Sequence, residues 1–317
     1  MKIAILDDYQ DVVRRLDCFA LLADHDVSVL TQTYSEEDLV KQLHDVETIV
    51  LIRERTQITE SLLSQLPKLK LISQTGKVSN HIDVDLCNSY GIEVLEGVGS
   101  PVAPSELCWA LIMSASRHIP SYVEHLQKGQ WQQSGNLGLG RTLNGLTLGI
   151  WGYGKIGQRI AQYAKAFGMQ VLIWGSARSR DKAIEDGFSA APSKPAFFAT
   201  SDILTLHLRL NDATRSCVAL SDLEQMRPDS LLVNTSRSEL IEKGALFNEL
   251  SKHPTKCAAV DVYDVEPATP ETEPLMTLPN VLALPHLGYV EHNSYQLYFK
   301  IAFENIIHHT ASNHKIS

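Results

Sequence analysis

The chain has no block of lysines and arginines, no Cys-x-x-Cys pair and no run of 18 apolar residues, and each absence closes off a class of function. With a net charge of -9 and its basic residues scattered, it lacks the electrostatic footprint of a nucleic-acid surface. Without a long apolar run it offers no membrane span. The opening Met1-Lys2-Ile3-Ala4-Ile5-Leu6-Asp7-Asp8 turns acidic before a signal-peptide core could form, so the expected compartment is the cytoplasm. The five cysteines, Cys18, Cys87, Cys108, Cys217 and Cys257, are odd in number and far apart, which fits reduced core thiols. No His/Cys/Asp cluster has ligand spacing, so no metal site is expected. What remains is 317 residues, 44% hydrophobic and 21% charged, enough for about two domains.

Short apolar runs punctuate the first half at 2–6, 27–30, 48–52, 70–73 and 92–95, with helical patterns between them. Ser35 followed by Asp38, and Thr59 followed by Glu60, have the form of helix N-termini. Strands joined by helical crossovers imply a parallel sheet covered on both faces. From Ser100 to Lys128 the spacing of Leu107, Leu111, Ala115 and Ile119 predicts a long helical region. Pro104 suits its first turn, and Pro120 is expected to end or kink it. This region either packs on the second domain or lies at a subunit interface. The alternation then resumes with strands at 203–208, 231–234, 258–262 and 281–283, and a last helix at about 294–311 that could return to the first domain. His308, His309 and His314, in that helix and tail, read as solvated.

The most informative stretch is Leu148-Gly149-Ile150-Trp151-Gly152-Tyr153-Gly154-Lys155-Ile156-Gly157. An apolar strand breaks into Gly-x-Gly-x-x-Gly, and a helix pattern follows (Ile160, Ala161, Ala164, Phe167) before a second strand at 169–174. In such a βαβ unit Gly152 permits the tight turn, Gly154 lets the backbone approach a pyrophosphate, and Gly157 lets the helix lie close to the strand. Ligands of an open α/β sheet bind at the carboxyl ends of its strands. Three polar groups fall there: Arg237 after Leu231–Ser236, Glu266 after Asp261-Val262, and His286 after Val281–Pro285. A planar arginine fork pairs with a carboxylate, and an imidazole of ordinary pKa about 6.5 exchanges a proton near neutral pH. A neighbouring carboxylate fixes the ring's tautomer. Together these groups suit hydride transfer at a carbon bearing oxygen.

With the glycine loop, Val233-Asn234-Thr235-Ser236-Arg237, the Asp261-Val262 to Glu266-Pro267 block and Pro285-His286-Leu287-Gly288 in this order, the chain resembles the D-isomer-specific 2-hydroxyacid dehydrogenase family over nearly its whole length. The resemblance implies two α/β domains: a flavodoxin-like substrate domain of residues 1–99 and 289–317, and a Rossmann-type doubly wound parallel sheet for the cofactor over 100–288. It implies Arg237 as holder of the substrate carboxylate, His286 as acid/base and Glu266 as its partner. It implies a cofactor site of Gly152, Gly154, Lys155, Ile156, Gly175, Ser176, Arg178, His207, Thr235, Ser236, Asp261 and Gly288, with Asp261 on the nicotinamide carboxamide. In the first domain, Thr75-Gly76-Lys77-Val78 resembles the family's substrate loop, whose backbone N–H groups meet the carboxylate, and Leu51-Ile52-Arg53-Glu54-Arg55-Thr56 places two arginines where the family contacts the far end of the substrate, with an anionic substrate and a surface Arg-Glu network as the two explanations.

One departure bears on the cofactor. NAD-specific folds carry Asp or Glu roughly 20 residues beyond the glycine loop, but here the strand ends in Trp174-Gly175-Ser176-Ala177-Arg178-Ser179-Arg180. The reading therefore leans toward NADP(H), with NAD(H) as the alternative. The expected partner is a small 2-oxo or 2-hydroxy acid, and the expected assembly is a homodimer. Two other functions suit the same scaffold: a formate dehydrogenase-like enzyme, whose histidine is typically partnered by glutamine where this chain has Glu266, and a cofactor-sensing, corepressor-like binding protein.

Overall fold

Val, Ile and Leu crowd into short runs that alternate with helices, and the computed structural model, which describes residues 1–313, folds each run as a strand, the central ones buried and the edge ones partly exposed. The chain divides into two units, Met1–Ser100 with Val290–Ser317, and Pro101–Tyr289. The first unit holds β1 (Lys2–Ile5), β2 (Asp26–Val29), α1 (Glu36–Leu43), β3 (Thr48–Leu51), α2 (Glu60–Leu63), β4 (Leu71–Gln74), α3 (Val84–Ser89) and β5 (Glu93–Leu95). Its sheet has the order β2-β1-β3-β4-β5, and every neighbouring pair is parallel. Residues buried on both faces explain why β3 and β4 read as unbroken runs rather than alternating ones. Both expected helix starts are present: Ser35 Oγ accepts the Asp38 N–H at 3.2 Å, and Thr59 Oγ1 accepts the Leu62 N–H at 3.0 Å.

In the second unit α4 (Val102–Ser116) and α5 (Ile119–Gln127) precede β6 (Thr147–Trp151), α6 (Lys155–Ala166), β7 (Gln170–Trp174), α7 (Ala177–Glu185), β8 (Ser189–Ala190), α8 (Lys194–Thr200) and β9 (Ile203–Leu206). There follow α9 (Leu220–Glu224), β10 (Leu231–Asn234), α10 (Ala245–Lys252), β11 (Cys257–Val260) and β12 (Val281–Ala283). The sheet order is β12-β11-β10-β9-β6-β7-β8, parallel throughout. The winding runs outward from β6 to β8, then restarts on the other side at β9, so the topological switch point lies between β6 and β9. Cys108, Leu111 and Ile112 of α4 share one core with Ile150, Ile160 and Val233. The closing helix α11 (His292–Asn313) belongs to the first unit, where Ser73 Oγ of β4 donates to the Ala302 carbonyl at 2.8 Å.

Two expectations need correction. The helical region after Ser100 is not one helix broken at Pro120: α4 stops at Ser116, His118 turns the chain with φ 52°, and Pro120 sits in the first turn of α5, where its missing N–H costs nothing. His309 is not solvated either, because its side chain is 15% exposed and its Nδ1 lies 3.0 Å from Glu93 Oε2. His308 is exposed, and His314 lies outside the described residues. Among the described residues no helix is long and apolar enough to cross a membrane, and no group of three His, Cys, Asp or Glu side chains could hold a metal ion.

Candidate active site

The glycine loop crosses from β6 to α6 at the switch point, and each glycine has a separate reason. Gly152 has φ 103°, and a Cβ there would come within 2.4 Å of the His207 carbonyl oxygen beyond β9. At Gly157 a Cβ would come within 2.1 Å of the Gly152 oxygen, so α6 lies on the strand only because position 157 has no side chain. Gly154 is different. No atom lies within 4 Å of its Cβ position, and as N-cap of α6 it leaves the first turn without a side-chain cap. Lys155 and Ile156 thus open a helix whose N-terminal N–H groups face outward, the geometry of an anion site.

Beyond β7, Gly175 has φ 151°, and Ser176 caps α7 by accepting the Ser179 N–H at 3.2 Å. Arg178 is exposed in the first turn of α7, and Arg180 lies over the Trp174 ring with Cζ 4.9 Å from its centroid. Beyond β9, His207 is half-buried, and desolvation pushes its imidazole down to about 4, so the ring is neutral at pH 7. Its Nε2 lies 4.0 Å from Cys108 Sγ, a thiol that burial pushes up to about 12 and that also meets the Thr235 side chain.

The ends of β10, β11 and β12 carry the three polar groups expected from the sequence. Asn234 closes β10 by donating from Nδ2 to the Arg237 carbonyl at 2.8 Å and accepting the Ser236 N–H at 3.1 Å. Ser236 Oγ donates to the Leu206 carbonyl at 2.6 Å, and Arg237 Nη1 donates to the Ser236 carbonyl at 2.6 Å. After β11, Asp261 is fully buried and takes the Leu287 N–H on Oδ1 at 2.7 Å and the Gly288 N–H on Oδ2 at 2.9 Å. Burial raises its carboxyl to about 6, a rise moderated by those N–H groups and by His286. Asp261 therefore clamps the turn that bears the imidazole. His286 itself holds φ 53°, a region that non-glycine residues rarely occupy and that clusters at functional sites.

The sequence-distant pair meets. His286 Nδ1 donates to Glu266 Oε2 at 2.6 Å, while Glu266 Oε1 accepts the Tyr263 N–H at 3.1 Å. Tyr263 then ties the other side, donating from its hydroxyl to the Leu284 carbonyl at 2.7 Å. With both oxygens of Glu266 occupied, the tautomer that carries its proton on Nδ1 is held, and Nε2 is the nitrogen left to meet a substrate. The side chain of His286 remains 23% exposed, and its ring stands edge-on to Tyr289 with centroids 5.6 Å apart.

In the first unit, Arg53 and Gly76 lie together beyond β3 and β4: a Cβ on Gly76 would come within 2.0 Å of Arg53 Nη1. Of the next two residues, one engages Glu96 through its amide and the other through its side chain. Val78 N–H donates to Glu96 Oε1 and Lys77 Nζ to Glu96 Oε2, each at 2.8 Å, so a carboxylate of the chain itself already occupies this part of the loop.

Residues 109–288 match the D-isomer specific 2-hydroxyacid dehydrogenase, NAD binding domain. The chain belongs to the D-isomer specific 2-hydroxyacid dehydrogenase family. Among solved structures, phosphoglycerate oxidoreductase from Vibrio cholerae o395 is 63% identical with a TM-score of 0.97, covering 98% of this chain and 99% of that one. Hydroxypyruvate reductase of Thermotoga maritima is 32% identical over 84% of this chain and 86% of its own length. D-3-phosphoglycerate dehydrogenase of Methanocaldococcus jannaschii is 31% identical over 80% of this chain and 48% of its own, so this dehydrogenase spans about half the length of that relative.

As a member of the family it is an oxidoreductase that uses a nicotinamide dinucleotide. The second unit fits such a group: open space at Gly154, an uncapped α6, a neutral His207 at the switch point, and Asp261 oxygens that each retain a lone pair beyond the backbone bond they accept. Tyr263 and Cys108 were not among the expected site residues. Tyr263 lies inside the Asp261–Pro267 block, whereas Cys108 comes from a helix face with no linear signal of its own.

Proposed function

We propose that this dehydrogenase moves a hydride between NADP(H) and C2 of a small D-2-hydroxy acid or its 2-oxo partner, with His286 as acid/base, Glu266 as its partner and Arg237 as holder of the substrate carboxylate. The observation that carries the reading is the Glu266-His286 pair, with the His286 turn clamped from behind by Asp261. When bound, the nicotinamide supplies or accepts the hydride. In reduction the protonated His286 ring gives its Nε2 proton to the substrate oxygen, and in oxidation the neutral ring takes it back at Nε2, while Glu266 holds the other ring proton on Nδ1 throughout. Arg237 presents the fork that orients the acid.

Gly152, Gly154, Lys155 and Ile156 form the pyrophosphate cradle of this reading, and Gly175, Ser176 and Arg178 meet the adenosine ribose. The choice of NADP(H) rests on two hydroxyl groups and two arginines standing where a ribose-binding carboxylate would lie, with NAD(H) the alternative. His207, Thr235, Ser236, Asp261 and Gly288 surround the nicotinamide. Arg53, Gly76, Lys77 and Val78 form the first unit's substrate-recognising element. Relatives named for phosphoglycerate, hydroxypyruvate and glyoxylate support a two- or three-carbon acid. The working unit is a homodimer, and the compartment is the cytoplasm, where unpaired thiols stay reduced.

The test is a panel of glyoxylate, hydroxypyruvate and 3-phosphohydroxypyruvate with NADPH and NADH. Turnover of at least one acid, with the lower KM for NADPH, is expected. Changing His286 to Ala should lower kcat by roughly 10²- to 10⁴-fold with cofactor affinity retained, and Arg237→Lys should raise KM more than it lowers kcat. Wild-type turnover in the His286 variant would remove the acid/base assignment.

A further inference from the structure

Arg53 is held in an unusual shape at the end of β3. Its φ of 55° lies in the left-handed region that residues with a Cβ seldom adopt, and side chains from the neighbouring strand end clamp both of its backbone polar groups. Arg53 N–H donates to Thr75 Oγ1 at 3.1 Å, and Gln74 Nε2 donates to the Arg53 carbonyl at 2.9 Å. Gln74 is fully buried as the last residue of β4, where its Nε2 is engaged while its Oε1 has no hydrogen-bond partner among the described residues, an arrangement that burial makes costly. Its Nε2 also lies 3.0 Å from Nε2 of the buried His81, so one amide group serves two acceptors when that imidazole carries its proton on Nδ1.

The guanidinium is placed by an omission. A Cβ on Gly76 would lie 2.0 Å from Arg53 Nη1, 2.9 Å from Cζ and 3.3 Å from Cδ, and Gly76 does not have a positive φ that would by itself call for glycine. A side chain at position 76 would therefore push the arginine head out of the pose it holds. Beside it, Gly97 packs with the same economy: a Cβ there would meet the Gln74 and Thr75 backbone at 2.7 Å, and Gly97 N–H donates to the Gly76 carbonyl at 2.8 Å. The Tyr298 ring centroid stands 6.0 Å from Arg53 Cζ.

We propose that Gln74 and Gly76 are positioning residues for Arg53: Gln74 fixes its backbone, Gly76 vacates the space of its guanidinium, and together they hold the fork in one pose that selects 2-oxo acids bearing a second anionic group. The selection rests on the reading of Arg53 as a substrate contact; the positioning does not. A double-mutant cycle separates them. Gly76→Ala, Arg53→Ala, Gln74→Leu and the pairs of each with Arg53→Ala are compared for thermal midpoint and for KM and kcat with 3-phosphohydroxypyruvate and with glyoxylate.

Gly76→Ala and Gln74→Leu each raise KM for 3-phosphohydroxypyruvate roughly ten- to a hundredfold, more than they raise KM for glyoxylate. Both effects vanish when Arg53→Ala is already present. The loss of thermal midpoint caused by Gly76→Ala also disappears in that background, because the clashing head is gone. A Gly76→Ala cost that is equal with and without Arg53→Ala, or a double variant that fails to fold, overturns the positioning. If Arg53→Ala leaves both KM values at wild type, the substrate-contact reading fails, and the midpoint cycle still decides the positioning.

Discussion

Burial holds the Asp261 carboxyl up at about 6 and the His207 imidazole down at about 4, and these shifts act on stability with opposite signs. Folded Asp261 keeps a proton that the unfolded chain releases near 3.8, so its contribution is fully present below that pH and is lost as pH rises through about 6. His207 is kept neutral in the fold while the unfolded imidazole charges below 6.5, so its contribution is present above 6.5 and is lost as pH falls toward about 4. Each is worth about 3 kcal/mol at the conversion of roughly 1.4 kcal/mol per pKa unit, and between pH 4 and 6 the slopes oppose each other. Urea unfolding of His207→Asn across that range should show stability falling with rising pH, where the wild type is flatter; an unchanged slope would exclude a neutral His207. Asp261→Asn should tilt the slope the other way. It should also lower kcat, because the amide nitrogen of the variant turns a donor toward the Leu287 or Gly288 N–H and frees the turn that carries His286.

Helix α6 rests on β6 through one missing methyl group, which makes its two neighbouring glycines separable by experiment. Gly157→Ala would set a Cβ 2.1 Å from the Gly152 oxygen and must lift α6 from the loop, so both thermal midpoint and cofactor affinity should fall. Gly154→Ala meets no atom within 4 Å; its midpoint should hold while cofactor titration followed by nicotinamide fluorescence weakens. Equal loss of midpoint in the two would contradict this division. The glycine spacing and the strand runs were legible because they are local and periodic, and so were the caps at Ser35 and Thr59. Contacts that join distant segments leave no such trace: Glu96 reaching back to Lys77 and Val78, Asp261 holding Leu287 and Gly288, and Cys108 meeting His207 and Thr235. Proline is the visible punctuation between α4 and α5, whereas the left-handed His118 does the turning. The buried Lys256-Glu249 pair joins α10 to the approach to β11 at 2.5 Å, with both side chains almost fully enclosed. Lys256→Met should therefore destabilise by about 3–5 kcal/mol in urea unfolding, because it strands the Glu249 charge.

The second unit leaves an apolar face that its own residues do not cover. Helix α5 has no buried residue, and Ile119, Val123 and Leu126 are about half exposed along it. Trp131 is 75% exposed and Leu139 92% exposed a few residues further on. Single apolar side chains in water are ordinary, but an exposed apolar helix face followed in the chain by an exposed tryptophan and leucine has the composition of an interface. In a homodimer with a two-fold axis such a face meets its own copy, so one strip serves both partners and the contact closes without growing into a filament. Leu126→Asp combined with Leu139→Asp places four carboxylates in that contact, two from each copy, and burying them unpaired is unfavourable. Sedimentation should show the wild type at twice the chain mass and the double variant at the chain mass, with the second unit's cofactor affinity retained. Tryptophan emission gives the independent reading: Trp131 should shift to longer wavelength in the variant as its ring meets water. A wild type that sediments at the chain mass at every concentration, with emission unmoved by the two aspartates, would assign the strip to some occupant other than a second copy.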